Sequence, residues 1–175
     1  MKTKTILLVL LLGIGIAGVR AQQTSGKLRR AAHKTELRKQ IDSLVKSNHF
    51  VFIAYKALPQ GYEAVDLTTN SNHLIIDTAM IESYMPYFGR AYGGIIYGGD
   101  GGIKFTGKPR EFSVAKTKRG YEVKAKVKEQ QDFFDLLLTI GPEGRASLTV
   151  TSINRSPITY FGYIETVQKA EKTVK

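Results

Sequence analysis

The 175-residue sequence contains no cysteine and no tryptophan, and only three histidines. Without cysteine there is no disulfide framework, no thiolate zinc site, no thiol nucleophile and no lipid-modified N-terminal cysteine. His33, His49 and His73 lack the His-x-His or His-x-x-x-His spacing that aims two imidazoles at one ion, so no metal site is assigned. A Gly-x-Ser-x-Gly elbow is also missing. The acids Glu129, Asp132 and Asp135 read as turn and wet-face residues rather than as the opposed carboxylates of a glycosidase. Gly98-Gly99-Asp100-Gly101-Gly102 runs into a strand pattern instead of opening a helix, which excludes a phosphate cradle, and Asp100 alone falls short of a calcium site. No catalytic residue and no cofactor are assigned, and the chain reads as a non-enzyme.

Acids are scarce as well, 15 against 26 Lys plus Arg. Three of those basic residues, Lys2, Lys4 and Arg20, flank an apolar run from Ile6 to Val19 that ends in the small-residue pattern Val19-Arg20-Ala21. The run would span about 21 Å as a helix, short of a hydrocarbon core of roughly 30 Å, so residues 1–21 read as a secretory signal peptide. Removing them leaves 154 residues, with 23 basic groups against 15 acids and no further apolar run long enough to cross a membrane. The expected location is the periplasm or the exterior.

Residues 22–48 form a basic segment without aromatics, in which Leu37, Ile41, Leu44 and Val45 recur at helical spacing. That stripe predicts an amphipathic helix that packs its apolar side on the chain downstream of it. From 49 to 167 the pattern changes to about nine short β-branched and aromatic segments broken by Gly, Pro and Asn, the rhythm of an antiparallel sandwich or barrel. Strands are expected at Phe50 to Leu58, Tyr62 to Thr68, His73 to Thr78, Tyr92 to Tyr97 and Gly102 to Thr106, followed by longer ones. Tyr121, Val123, Ala125 and Val127 alternate with Glu122, Lys124, Lys126 and Lys128, giving one core face and one wet face. Residues 168–175 are left as a tail.

Two clusters are candidates for binding. Tyr84, Tyr87, Phe88 and Tyr92 place four rings around Arg90, with Pro86 and Gly89 preventing a regular helix. The segment is either a plug closing one end of a barrel or the mouth of a pocket where rings stack a sugar or an apolar ligand. Arg90 is the only basic residue between Lys56 and Lys104. Its guanidinium is expected to be at least half buried, stacked on a ring and bonded to carbonyls or to an acid. The second cluster is an anion patch of Lys116, Lys118, Lys124, Lys126 and Lys128, for which a solvated face is the plainer reading.

Phe50-Val51-Phe52-Ile53-Ala54, Pro86-Tyr87-Phe88-Gly89-Arg90-Ala91-Tyr92, Gly102-Ile103-Lys104-Phe105 and the stretch from Ser152 through Asn154-Arg155-Ser156-Pro157 to Gly162 resemble the exported bacterial family DUF4251 over roughly Lys34 to Val167. The resemblance implies a mostly β fold, an antiparallel lipocalin-like barrel with an N-terminal amphipathic helix, in a Gram-negative envelope. It carries no site residues, because the family's function is unknown. Many members are lipoproteins, from which this cysteine-free chain departs. The expected function is a non-enzymatic module whose barrel interior or aromatic end takes a small apolar or glycan ligand. The alternative is a structural or interaction protein that holds another envelope protein or an anionic surface on its basic sheet face. Nucleic acid is poorly placed for an exported chain.

Overall fold

The computed structural model describes residues 26–92, 101–129 and 132–168, so the signal-peptide reading lies outside the described residues. Contacts divide the chain into two units, Met1–Lys39 and Gln40–Lys175. Residues 26–46 are helical, and in the first unit the helical residues are exposed except for half-buried Leu37. In the second unit the same helical run carries the rest of the stripe, with Ile41 and Val45 buried and Leu44 half-buried. The helix ends where Asn48 takes a φ of 53°, the left-handed conformation that a short amide side chain tolerates.

The second unit is antiparallel β. Its strands are β1 (His49–Pro59), β2 (Val65–Asp66), β3 (His73–Asp77), β4 (Ile81–Met85), β5 (Ile103–Gly107), β6 (Pro109–Thr117), β7 (Gly120–Glu129), β8 (Asp132–Ile140), β9 (Arg145–Ser152) and β10 (Ile158–Glu165). They are ordered β5-β4-β3-β1-β10-β9-β8-β7-β6, with the short β2 also on β1. The sheet curls until it nearly closes. Residues 103–117 are two strands that meet at Lys108: the first pairs with β4, from Met85↔Ile103 to Ile81↔Gly107, and the second pairs with β7. Across the join Phe105 stacks on Phe134 of β8, with ring centroids 4.7 Å apart. The inward positions are filled with side chains: Phe50, Phe52, Leu74, Ile76, Ile81, Met85, Ile103, Leu138, Ile140, Leu148 and Tyr160 are all under 2% exposed. Burial on this scale is the main stabilising term of the fold.

Two strand expectations change. Tyr62 to Thr68 contracts to Val65–Asp66, and Ile81–Met85 is an additional strand. It was hidden because Ser83 occupies an inward position, where its hydroxyl donates to the Ile103 carbonyl at 2.8 Å. Of the expected strand from Tyr92 to Tyr97, residues 93–97 lie outside the described residues, and Ala91 makes an isolated bridge with Arg155.

Asp42 ties the helical residues of this unit to the barrel. Its carboxylate accepts from the Tyr121 hydroxyl and pairs with Lys46 at 2.6 Å and Lys116 at 3.0 Å. The Lys46 hydrogen bond first, then those of Tyr121 and Lys116, hold the carboxyl far below its ordinary 3.8. A folded pKa below the unfolded one adds stability that is complete above the unfolded value and is lost as pH falls through the range beneath it. Asp42→Asn is therefore expected to flatten the fall in stability below about pH 4. Urea midpoints at pH 7 and pH 3 check this; an acid limb as steep as that of the parent would remove Asp42 from the account.

Candidate functional site

One end of the barrel is built from the segment after β4, the loop after β1 and the β9–β10 loop. Two backbone bonds lay the first against the third: Ser156 N donates to the Arg90 carbonyl at 2.9 Å, and Tyr92 N donates to the Asn154 carbonyl at 2.8 Å. The buried Ser156 hydroxyl accepts from Arg90 N at 3.0 Å and meets the Tyr87 hydroxyl at 2.9 Å. The Tyr87 oxygen also lies 2.7 Å from the Arg90 carbonyl oxygen. A side chain on Gly89 would strike this knot, its Cβ falling 2.6 Å from Ser156 Oγ, so the close approach requires glycine. From inside the barrel, fully buried Tyr160 donates to the Pro86 carbonyl at 2.7 Å, and burial pushes its phenol pKa well up.

The segment is thus fastened to the β9–β10 loop through its backbone and Tyr87. Its remaining rings do not join the core. Phe88 is 39% exposed and Tyr92 is 71% exposed. Tyr84 lies apart from them on the outer face of β4, stacked on His73 at 5.8 Å with Lys104 Nζ 4.0 Å above its ring.

Arg90 differs from expectation. It is exposed, and its Nε donates to the Tyr62 hydroxyl at 3.2 Å. The environment expected of it belongs to Arg155, half-buried, whose Nη1 donates to the carbonyls of Gly101 at 2.7 Å and Gly102 at 2.8 Å while the guanidinium lies 5.2 Å from the Tyr87 ring centroid. Isolation in sequence singles out Arg90, but the carbonyl acceptors belong to a segment that only the fold brings to Arg155. Arg155→Ala is accordingly expected to destabilise by about 1 to 2 kcal/mol, and Arg90→Ala to leave the denaturant midpoint close to the parent's. Paired denaturant curves decide it, and the reverse ranking would return the structural role to Arg90.

Tyr62, 49% exposed beside Arg90, was missed by sequence reasoning because it was placed in a strand. The only signal was its position directly after Pro59-Gln60-Gly61, a turn that delivers the next side chain to the end of the barrel.

The five patch lysines do not form one surface. Lys116 is paired in register with inward Tyr121 and reaches Asp42, whereas Lys124, Lys126 and Lys128 alternate outward on β7, and Lys118 sits in the β6–β7 turn. Lys124 is paired with Glu122 at 2.8 Å and Lys126 with Glu111 at 3.0 Å, while Lys128 Nζ lies 5.5 Å from the Phe133 ring centroid. Lys124 and Lys126 border a shallow groove of about 530 Å³ that also takes in Asp135, Leu137 and Thr149. With acids on both sides, it is not a one-sign field. Among the described residues no group of three or more His, Asp or Glu is arranged to hold a metal, and no helix is long and apolar enough to cross a membrane.

No curated protein matches the chain. Among solved structures, it is similar to the crystal structure of a DUF4251 family protein from Bacteroides eggerthii, with a TM-score of 0.56 and 16% identity over 76% of this chain and 89% of that one. At that identity the likeness is one of fold. The sequence model described as "Domain of unknown function (DUF4251)" matches residues 32–164, and the chain belongs to that family.

Proposed function

We propose that the protein is an exported, non-enzymatic binding module that takes a glycan on the aromatic end of its barrel. The observation that carries this reading is the contrast at that end: the backbone of 86–92 is fastened by Ser156, Asn154 and Tyr160, yet Tyr62, Phe88, Tyr92 and Arg90 remain exposed. A platform held in place before the ligand arrives loses little entropy on binding, and rings with polar edges suit the mixed surface of a sugar. A small apolar ligand fits less well, because the inward positions are filled and the end carries a guanidinium and phenols. The alternative, an envelope component held on the basic sheet face, is the weaker reading, since Lys116, Lys124 and Lys126 each have an acid partner. The leader pattern supports export.

Calorimetric titration against soluble oligosaccharides tests the proposal. Tyr62→Ala and Tyr92→Ala are each expected to weaken binding about tenfold or more, with the melting temperature close to the parent's. If both variants bind as the parent does, or if no oligosaccharide binds, the platform reading is wrong.

A further inference from the structure

We propose that the glycan taken by this platform is acidic, and that Arg90 is the residue that reads its carboxylate. The inference rests on the platform reading and names its ligand class.

Arg90 spends only Nε within the protein, on the Tyr62 hydroxyl at 3.2 Å. Its two terminal nitrogens make no hydrogen bond or ion pair among the described residues. That hydrogen bond to Tyr62 favours the charged guanidinium. Lys46, Lys116, Lys124 and Lys126, by contrast, each have an acid partner. A guanidinium fixed through Nε presents its remaining N–H groups as a planar fork, the geometry that matches a carboxylate through two parallel hydrogen bonds. The bond to Tyr62 orients the fork and sets the exposed Tyr62 phenol next to it, where its ring can cover a sugar face. Arg155 does not compete for the same anion, because its Nη1 is committed to the Gly101 and Gly102 carbonyls. A neutral glycan would leave the fork unmatched, whereas a uronic acid supplies a ring and a carboxylate at one residue's spacing.

The test uses matched probes that differ only in charge: hexamers of galacturonate and of glucuronate-containing hyaluronan, each as the free acid and as the methyl ester, titrated into the protein. The free acid of at least one series is expected to bind ten or more times more tightly than its ester. Arg90→Gln is expected to abolish that preference, and Arg90→Lys to keep part of it, with melting temperatures unchanged. Equal binding of acid and ester, with loss in Tyr62→Ala, would overturn the acidic assignment and leave the glycan platform standing. A preference for acid that survives in Arg90→Gln would also overturn it. Binding of neither form in either series would overturn both readings. A polyglutamate peptide of equal charge that binds as tightly as the hexamers would show that carboxylates alone are recognised and would overturn the sugar requirement.

Discussion

Gly162→Ala is expected to destabilise the protein by more than about 3 kcal/mol, enough to leave a domain of ordinary stability largely unfolded at 37 °C. Gly162 lies opposite Ala54 where β10 pairs with β1. An added Cβ would run into the Ile53 carbonyl oxygen and come within 2.8 Å of the Phe52 ring. Neither can yield cheaply. The carbonyl belongs to a ladder in the middle of the sheet, and Phe52 is fully buried among neighbours on all sides. Parting two central strands costs far more than shifting the end of a flexible side chain, and overpacked cores lose stability for that reason. Urea denaturation is the check; a midpoint within error of the parent would show that β1 and β10 are less tightly joined than described.

Asn72→Ala is expected to cost about 2 to 4 kcal/mol, because two buried backbone groups would lose their partners together. β1 pairs with β3 as far as Phe52 and with β2 from Lys56, leaving Ala54 in the gap beside a bulge. There the buried Asn72 amide stands in for a strand: Ala54 N donates to Oδ1 at 2.8 Å, and Nδ2 donates to the Ala54 carbonyl at 3.0 Å and to the Asn70 carbonyl at 2.8 Å. The same substitution should speed hydrogen exchange at the Ala54 amide by a larger factor than at Phe52, whose bonds are with strands. Unchanged exchange at Ala54 would mean that the Asn72 amide does not protect it.

These two sites show where the sequence could and could not be read. Alternation in β7 was legible because the strand keeps strict period 2 with one apolar face, so the core residues Tyr121, Val123, Ala125 and Val127 emerge directly. The family and the barrel were accessible for the same reason, together with the Pro86 to Tyr92 stretch. Asn72 read as a turn residue because nothing local shows that it substitutes for a strand; its partner is 18 positions away. Ser83 broke the alternation of β4 in the same way. The patch was readable but misread: Lys116 shares the parity of Phe112 and Val114, which already placed it on the inner face. Arg155 could not have been preferred to Arg90 from sequence, since its acceptors lie 53 and 54 positions distant.

The pairing of β1 with β10 also bears on how the chain is assembled. Of the long strands, β1 is the first made and β10 the last, and each contributes a neighbouring column to the centre of the sheet. While the polypeptide is still being delivered, β1 to β5 can form one ribbon and β6 to β9 another, both from nearby segments. Until Ile158–Glu165 emerges, nothing covers the second edge of β1, and Phe50-Val51-Phe52-Ile53 waits there as a sticky border. A chain stalled or truncated before residue 158 is thus left as two half-shells with an open aromatic seam, a species prone to clump rather than fold. Completion of the last strand works as a latch, and quality control in the compartment where the chain matures would need to shield that seam only until the latch closes.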